Sequence, residues 1–378
     1  MPGTVMTPGA RTTTGPLGLG AFAIGTELFV VAGVLPGLAA DLGVPVGSAG
    51  LAVTVFALAY AVGAPVLGAL LYARPLRQVL IGSLSLVALF NLGSALAPTL
   101  AALLVARAGS ALAAAAYAPA AGAAAIACAP EDGRGRALGA VLTGSALATV
   151  CGAPLGVLLA GLLSWRAAFA LVALLAVATA AGLARGGLGA DPPPRSTLAE
   201  RLRPLRSPAV AGTLAVTFLA MAASNSSFTY LALLVDGPLG PSIALFGIAG
   251  LAGTRWGAAA VDRLGSRRVA AAALVVLGAG LAALPHLDGP AALPVVVAWG
   301  AAAWGLVAAQ QHRVAGLGPA PLLLALNSSA VHLGFAAGAV LGGVVVDRAG
   351  AGALGLIPLA CCGAGLVLHG MLTKEVRS

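Results

Sequence analysis

The chain has 378 residues, of which 60% are hydrophobic and 8% charged, against about 25% charged in ordinary globular chains. Its mean hydropathy of +1.03 comes from apolar runs of about 20 residues that recur from Leu17 to Leu372, which excludes a soluble fold and indicates an all-α polytopic membrane protein. The net charge of +9 sits in short gaps between those runs and is not interleaved with aromatics, so it reads as loop charge and excludes a nucleic-acid partner.

In chain order, the runs between Gly, Pro and charged residues predict spans near 17–38, 48–71, 78–97, 100–127, 136–162 and 166–184. A second set is expected near 208–235, 242–260, 268–285, 291–311, 321–346 and 351–372. Twelve transmembrane helices follow, with residues 1–184 as an N-terminal six-helix bundle, 185–207 as a linker and 208–378 as a C-terminal six-helix bundle. The first run is longer than the apolar core of a secretory signal and is expected to remain as a helix. An even number of spans puts both termini on one side. The basic loops at Arg74 and Arg77, at Arg134 and Arg136, in the linker and at Arg263, Arg267 and Arg268 fall on that same side, so the termini are expected in the cytoplasm and the protein in the cell's inner membrane. The four cysteines, Cys128, Cys151, Cys361 and Cys362, lack the Cys and His spacing of a metal site and read as small core residues.

An internal repeat supports two pseudo-symmetric halves. Gly68-Ala-Leu-Leu-Tyr72-Ala-Arg74-Pro-Leu-Arg77 follows the second span, and Ala258-Ala-Ala-Val-Asp262-Arg263-Leu-Gly265-Ser-Arg267 follows the eighth, at an offset of 190 residues from Tyr72 to Asp262. Likewise Gly152-Ala-Pro154-Leu-Gly156 in the fifth span matches Gly338-Ala-Val-Leu-Gly342 in the eleventh. Parallel repeats of this kind are the plan of transporters that bind substrate near the midplane between halves.

Glu27 is the one acidic residue placed deep within a predicted span, about 15 Å along the first helix. A carboxylate there is costly, so it is either permanently paired or exchanges a proton with alternating access. Arg107 in the fourth span lies at a similar depth and is its natural counter-charge, for structural pairing or for coupling. The second half offers neutral polar groups instead: Asn225 and Tyr230 on the seventh span, Gln310 to Arg313 toward the cytoplasmic mouth of the tenth, and Asn327 and His332 on the eleventh. These serve either as interhelical contacts or as substrate contacts. His332 either titrates near pH 6.5 or sits neutral in a hydrogen-bonded core.

These residues carry a resemblance to the major facilitator superfamily, and within it to the twelve-span drug/proton antiporters that include arabinose, nucleoside and chloramphenicol exporters. Its carriers are Gly25-Thr26-Glu27-Leu-Phe-Val-Val-Ala-Gly33-Val-Leu-Pro36, Arg107, Gly152-Ala-Pro154-Leu-Gly156, and Ala325-Leu-Asn327-Ser328-Ser329. The resemblance implies the major facilitator fold and proton coupling through Glu27 and Arg107. It also implies conformational roles for Tyr72, Arg77, Gly152, Pro154, Gly156, Asp262, Arg263, Gly265 and Arg267. Tyr72 departs from the family, which has Asp there to face the positive end of the eleventh helix. The departure weakens that latch, or Tyr72 is merely an interfacial aromatic.

The expectation is a proton-coupled exporter of a small amphiphilic molecule, a monomer in membrane lipid that uses the proton gradient and no cofactor, with Glu27, Asn225, Tyr230, Asn327 and His332 contacting substrate. The alternative is a sugar or nucleoside efflux transporter or facilitator with weak or no proton coupling. An enzyme is not expected, since no paired acids, nucleophile with its base, or metal cluster appears. A phosphate-binding Gly-rich loop with its Lys is also missing.

Overall fold

A computed structural model describes residues 8–71, 74–130, 133–186, 197–237 and 239–374. Twelve helices are long and apolar enough to cross a membrane: α1 (Gly15–Leu42), α2 (Val46–Leu70), α3 (Leu76–Ala95), α4 (Leu100–Ala127), α5 (Arg134–Leu162), α6 (Trp165–Arg185), α7 (Pro208–Phe228), α8 (Leu239–Leu264), α9 (Ser266–His286), α10 (Gly289–Ala315), α11 (Ala320–Ala349) and α12 (Ala351–Leu372). No strand occurs among the described residues, as hydrocarbon requires of any chain that does not close a barrel.

Span limits differ from expectation where polarity and backbone part company. α8, α10 and α11 run on through Asp262 and Arg263, through Gln310 to Arg313, and through Asp347 and Arg348, because a polar side chain does not break a helical hydrogen bond. α7 instead stops at Phe228, seven residues before the apolar run ends at Val235. The apolar Leu231–Leu233 form a short 3₁₀ turn with Leu231 and Tyr230 buried in the core. Hydropathy alone reads such tucked-in residues as span.

Helix packing repeats between the halves. α1 packs on α5 and α6 as α7 packs on α11 and α12; α2 meets α4 as α8 meets α10; α3 meets α4 and α6 as α9 meets α10 and α12. The halves join through α2 on α11 and through α5 on α8. Small residues permit these approaches. A Cβ at Gly152 would stand 3.0 Å from the Thr26 Cβ on α1, and one at Gly338 would stand 2.8 Å from the Ser226 nitrogen on α7. The two copies of the glycine motif thus do the same job, seating α5 on α1 and α11 on α7. A π-helical stretch, Ala148–Gly152, precedes Pro154, which has no N–H to return to the turn before it. Gly265, at φ +81°, makes the turn that opens α9.

The cysteines correct an expectation: only Cys362 is buried, Cys128 and Cys361 are half-buried, and Cys151 is exposed. A small apolar side chain is as well suited to a lipid-facing surface as to a core, so its position in an apolar run does not choose between them. Of the linker, residues 187–196 lie outside the described residues. Thr197 and Glu200 cap the short helix Leu198–Leu202 reciprocally, and Arg201 donates to the Gly68 carbonyl on α2 at 3.0 Å.

Candidate functional site

α1 and α4 bring Glu27 and Arg107 together, both without solvent exposure. Arg107 Nη1 donates to Glu27 Oε1 at 2.9 Å, Nη2 to the Glu27 carbonyl at 3.4 Å, and Nε to the Ala52 carbonyl of α2 at 3.3 Å. Its guanidinium also lies 4.2 Å from the centre of the Phe56 ring and 5.6 Å from that of Phe169. Arg107 is therefore fixed by α1, α2 and α6 at once.

Glu27 is less completely held. Its Oε2 has no hydrogen-bond partner, although Ser110 of α4 and Asn91 of α3 face the carboxyl group. Asn91 Nδ2 donates to Ser110 Oγ at 3.0 Å and to the Val87 carbonyl at 2.9 Å, while its Oδ1 is unpartnered. Because a carbonyl oxygen only accepts, the Val87 contact fixes which way the Asn91 amide points. A buried carboxyl oxygen without a donor is a place where a proton can be added without breaking a bond.

The second-half residues fall into separate environments. Asn225 spends both amide hydrogens, on Thr229 Oγ1 at 3.1 Å and on the Phe335 carbonyl at 2.8 Å, so it ties α7 to α11 and has no N–H left for a ligand. Tyr230 lies past the end of α7, opposite the linker, and donates to the Ala339 carbonyl at 2.9 Å with the Gly47 carbonyl at 3.4 Å. The reason is the early stop of α7 at Phe228, which puts Tyr230 beyond the helix and not on the span expected to run to 235. His332 faces the seam between halves. Its Nδ1 meets the Ser328 carbonyl at 2.8 Å, and its ring stacks on Tyr60 of α2 at 3.9 Å. Asn327 is fully buried and accepts from Thr217 at 2.9 Å. Gln310, expected toward the cytoplasmic mouth, lies five residues before the end of α10, is fully buried and donates to the Thr213 carbonyl at 2.8 Å.

Among the conformational residues, Tyr72 lies outside the described residues. Arg77 donates to the Ala184 carbonyl at 2.6 Å and so closes α3 onto α6. Asp262 and Arg263 are exposed, and the Arg267 carbonyl meets His369 Nε2 at 3.1 Å. On the linker side a cleft of about 400 Å³ is lined by Arg203, Ser207, Val210, Pro319 and Leu323.

Sequence reasoning passed over Asn91, Ser110 and Thr217. Their types are ordinary in membrane helices, and nothing in their spacing marks them.

The sequence model described as Major Facilitator Superfamily matches residues 17–319. The chain is 37% identical over 294 residues to a chloramphenicol resistance protein of Streptomyces lividans, covering 73% of each chain. It is 30% identical over 346 residues to the inner membrane transport protein YdhP of Escherichia coli (strain K12), covering 88% of each. Its fold is similar to the crystal structure of the peptide transporter POT, with a TM-score of 0.76 at 16% identity over 98% of this chain and 94% of that one.

Proposed function

The chain belongs to the major facilitator superfamily, a family of transporters, and from that premise we propose that it is a proton-coupled exporter of a small amphiphilic molecule, working by alternating access. The single observation that carries the coupling is the buried Glu27–Arg107 pair with its unpartnered Oε2. A carboxylate in hydrocarbon is tolerated when a cation or a proton neutralises it, so loading and releasing a proton changes what the site holds. The naming of the Streptomyces lividans relative for chloramphenicol resistance makes that amphiphile the first substrate to test. Inside-out vesicles containing the protein, given an acidic lumen, are expected to accumulate chloramphenicol until a protonophore collapses the gradient. Accumulation that ignores the protonophore removes the coupling, and accumulation of arabinose alone shifts the reading to sugar efflux.

We also propose a monomer in the inner membrane with both termini and the 185–207 linker in the cytoplasm. The support is the gathering of Arg195, Arg201, Arg203 and Arg206 in that linker and of the other basic loops on its side. In a cysteine-free background, Arg201→Cys is expected to stay unlabelled by an impermeant maleimide in intact cells and to react once the cells are opened. Labelling in intact cells reverses the orientation.

A further inference from the structure

The two halves differ chemically in what they bury. Thr217 lies on α7, the helix that holds in the second half the place that α1 holds in the first. Where the first half has an acid and an arginine, the second has a neutral cluster drawn from three helices, all of it without solvent exposure. The Thr217 hydroxyl donates to Asn327 Oδ1 of α11 at 2.9 Å. Gln310 of α10 donates from Nε2 to the Thr213 carbonyl at 2.8 Å and reaches Thr217 Oγ1 at 3.4 Å. After these bonds, Gln310 Oε1 and Asn327 Nδ2 have no partner.

One spare acceptor and one spare donor in a single buried cluster are costly to leave unmade, and apolar residues of similar size would avoid the cost. We infer that the Thr217–Gln310–Asn327 cluster recognises the transported molecule, and that it takes an uncharged ligand presenting a hydrogen-bond donor beside an acceptor, as an amide or a pair of hydroxyls does. Gln310 Oε1 accepts from the ligand's N–H or O–H, and Asn327 Nδ2 donates to its oxygen. The cluster contains no ionisable side chain, so it offers nothing to neutralise a charged ligand. Glu27 is left to the proton, and ligand and proton do not compete for one carboxylate. The cleft on the linker side ends at Val210 and Leu323, one helical turn from Thr213 and Asn327, and there the buried apolar cluster of Val210, Leu214, Leu323 and Leu326 closes it, so a ligand enters only when these helices part.

The inference rests on the export reading and adds the ligand class to it. Its test is equilibrium binding to the purified full chain, with radiolabelled chloramphenicol as the amide- and hydroxyl-bearing probe and tetraphenylphosphonium as a cation without such groups. Asn327→Asp keeps the oxygen that accepts from Thr217 and replaces the spare N–H donors with an oxygen. Thr217→Val removes the hydroxyl that holds both amides in place. Chloramphenicol binding is expected to weaken about three- to tenfold in each, with tetraphenylphosphonium binding unchanged and the Asn327→Asp unfolding midpoint retained. If Thr217→Val does not fold, Asn327→Asp alone decides. Equal chloramphenicol affinity in folded Asn327→Asp overturns the inference, as does wild-type protein that binds tetraphenylphosphonium but neither chloramphenicol nor arabinose. Binding that remains sensitive to Asn327→Asp, without any pH-driven accumulation, instead removes the export reading and leaves the cluster's role standing.

Discussion

Glu27→Gln protein in vesicles is expected to equilibrate substrate across the membrane but not to concentrate it under an imposed proton gradient. The substitution keeps the size of the side chain and an oxygen for Arg107 Nη1, while the Ala52 carbonyl, the Glu27 main-chain carbonyl and the Phe56 ring still hold the guanidinium. The new amide nitrogen takes the place of Oε2, which has no donor to lose. What disappears is the titration. One proton moving down 100 mV supplies about 2.3 kcal/mol, enough for roughly a fiftyfold gradient of an uncharged solute exchanged one for one. The accumulation ratio should therefore fall from as much as about fifty toward one. A ratio that stays high excludes Glu27 as the coupling group, and a variant that fails to insert makes the pair structural.

The second large effect concerns the end of the bundle opposite the linker, where Gly47 of the first half meets Asp347 and Tyr230 of the second. The Gly47 N–H donates to Asp347 Oδ1 at 3.0 Å, and the Tyr230 hydroxyl donates to Ala339 with the Gly47 carbonyl close by. Gly47 precedes most of α2, Asp347 ends α11 and Tyr230 follows α7, so this contact closes the far side only while the first half touches the second. A Cβ at Gly47 would fall 2.5 Å from the Gly343 carbonyl oxygen, too close for the contact to survive unchanged. Overpacking of this kind costs about 1–3 kcal/mol, so Gly47→Ala should shift the population toward the state open on that side by about five- to 150-fold. Asp347→Ala should act in the same direction and more weakly, since Asp347 is exposed and its bond is screened by water. Spin labels at the exposed Leu96 and Leu356, in a cysteine-free background, report the opening. An unchanged distance distribution in Gly47→Ala means that the contact is not a gate.

Twelve spans and their order were legible because an apolar run of about 20 residues has few stable places other than a membrane helix. The Glu27–Arg107 pair was legible for a related reason. Counting residues along a helix gives depth, and two opposite charges at one depth in hydrocarbon have a strong drive to meet. The repeat and the family were legible through motifs that recur in order. Depth does not say which way a side chain points around its helix, nor which neighbour's carbonyl waits there.

That is why Asn225 and Asn327, both amides in apolar runs, came apart only in three dimensions. The first spends its hydrogens on Thr229 and Phe335, and the second keeps Nδ2 free. It is also why the bonding of Gln310 within a sealed cluster, the place of Ser110 and Asn91 beside Glu27 and the outward turn of Cys151 emerged only there. Tyr230 left the expected seventh span for a different reason, the end of α7 at Phe228, where the following apolar residues found a protein core rather than lipid to cover them. Hydropathy along a chain fixes how much of a helix must leave water, because that free energy follows apolar area whatever covers it. Which polar atoms are satisfied depends on distances of about 3 Å between helices far apart in sequence, and only their packing sets those.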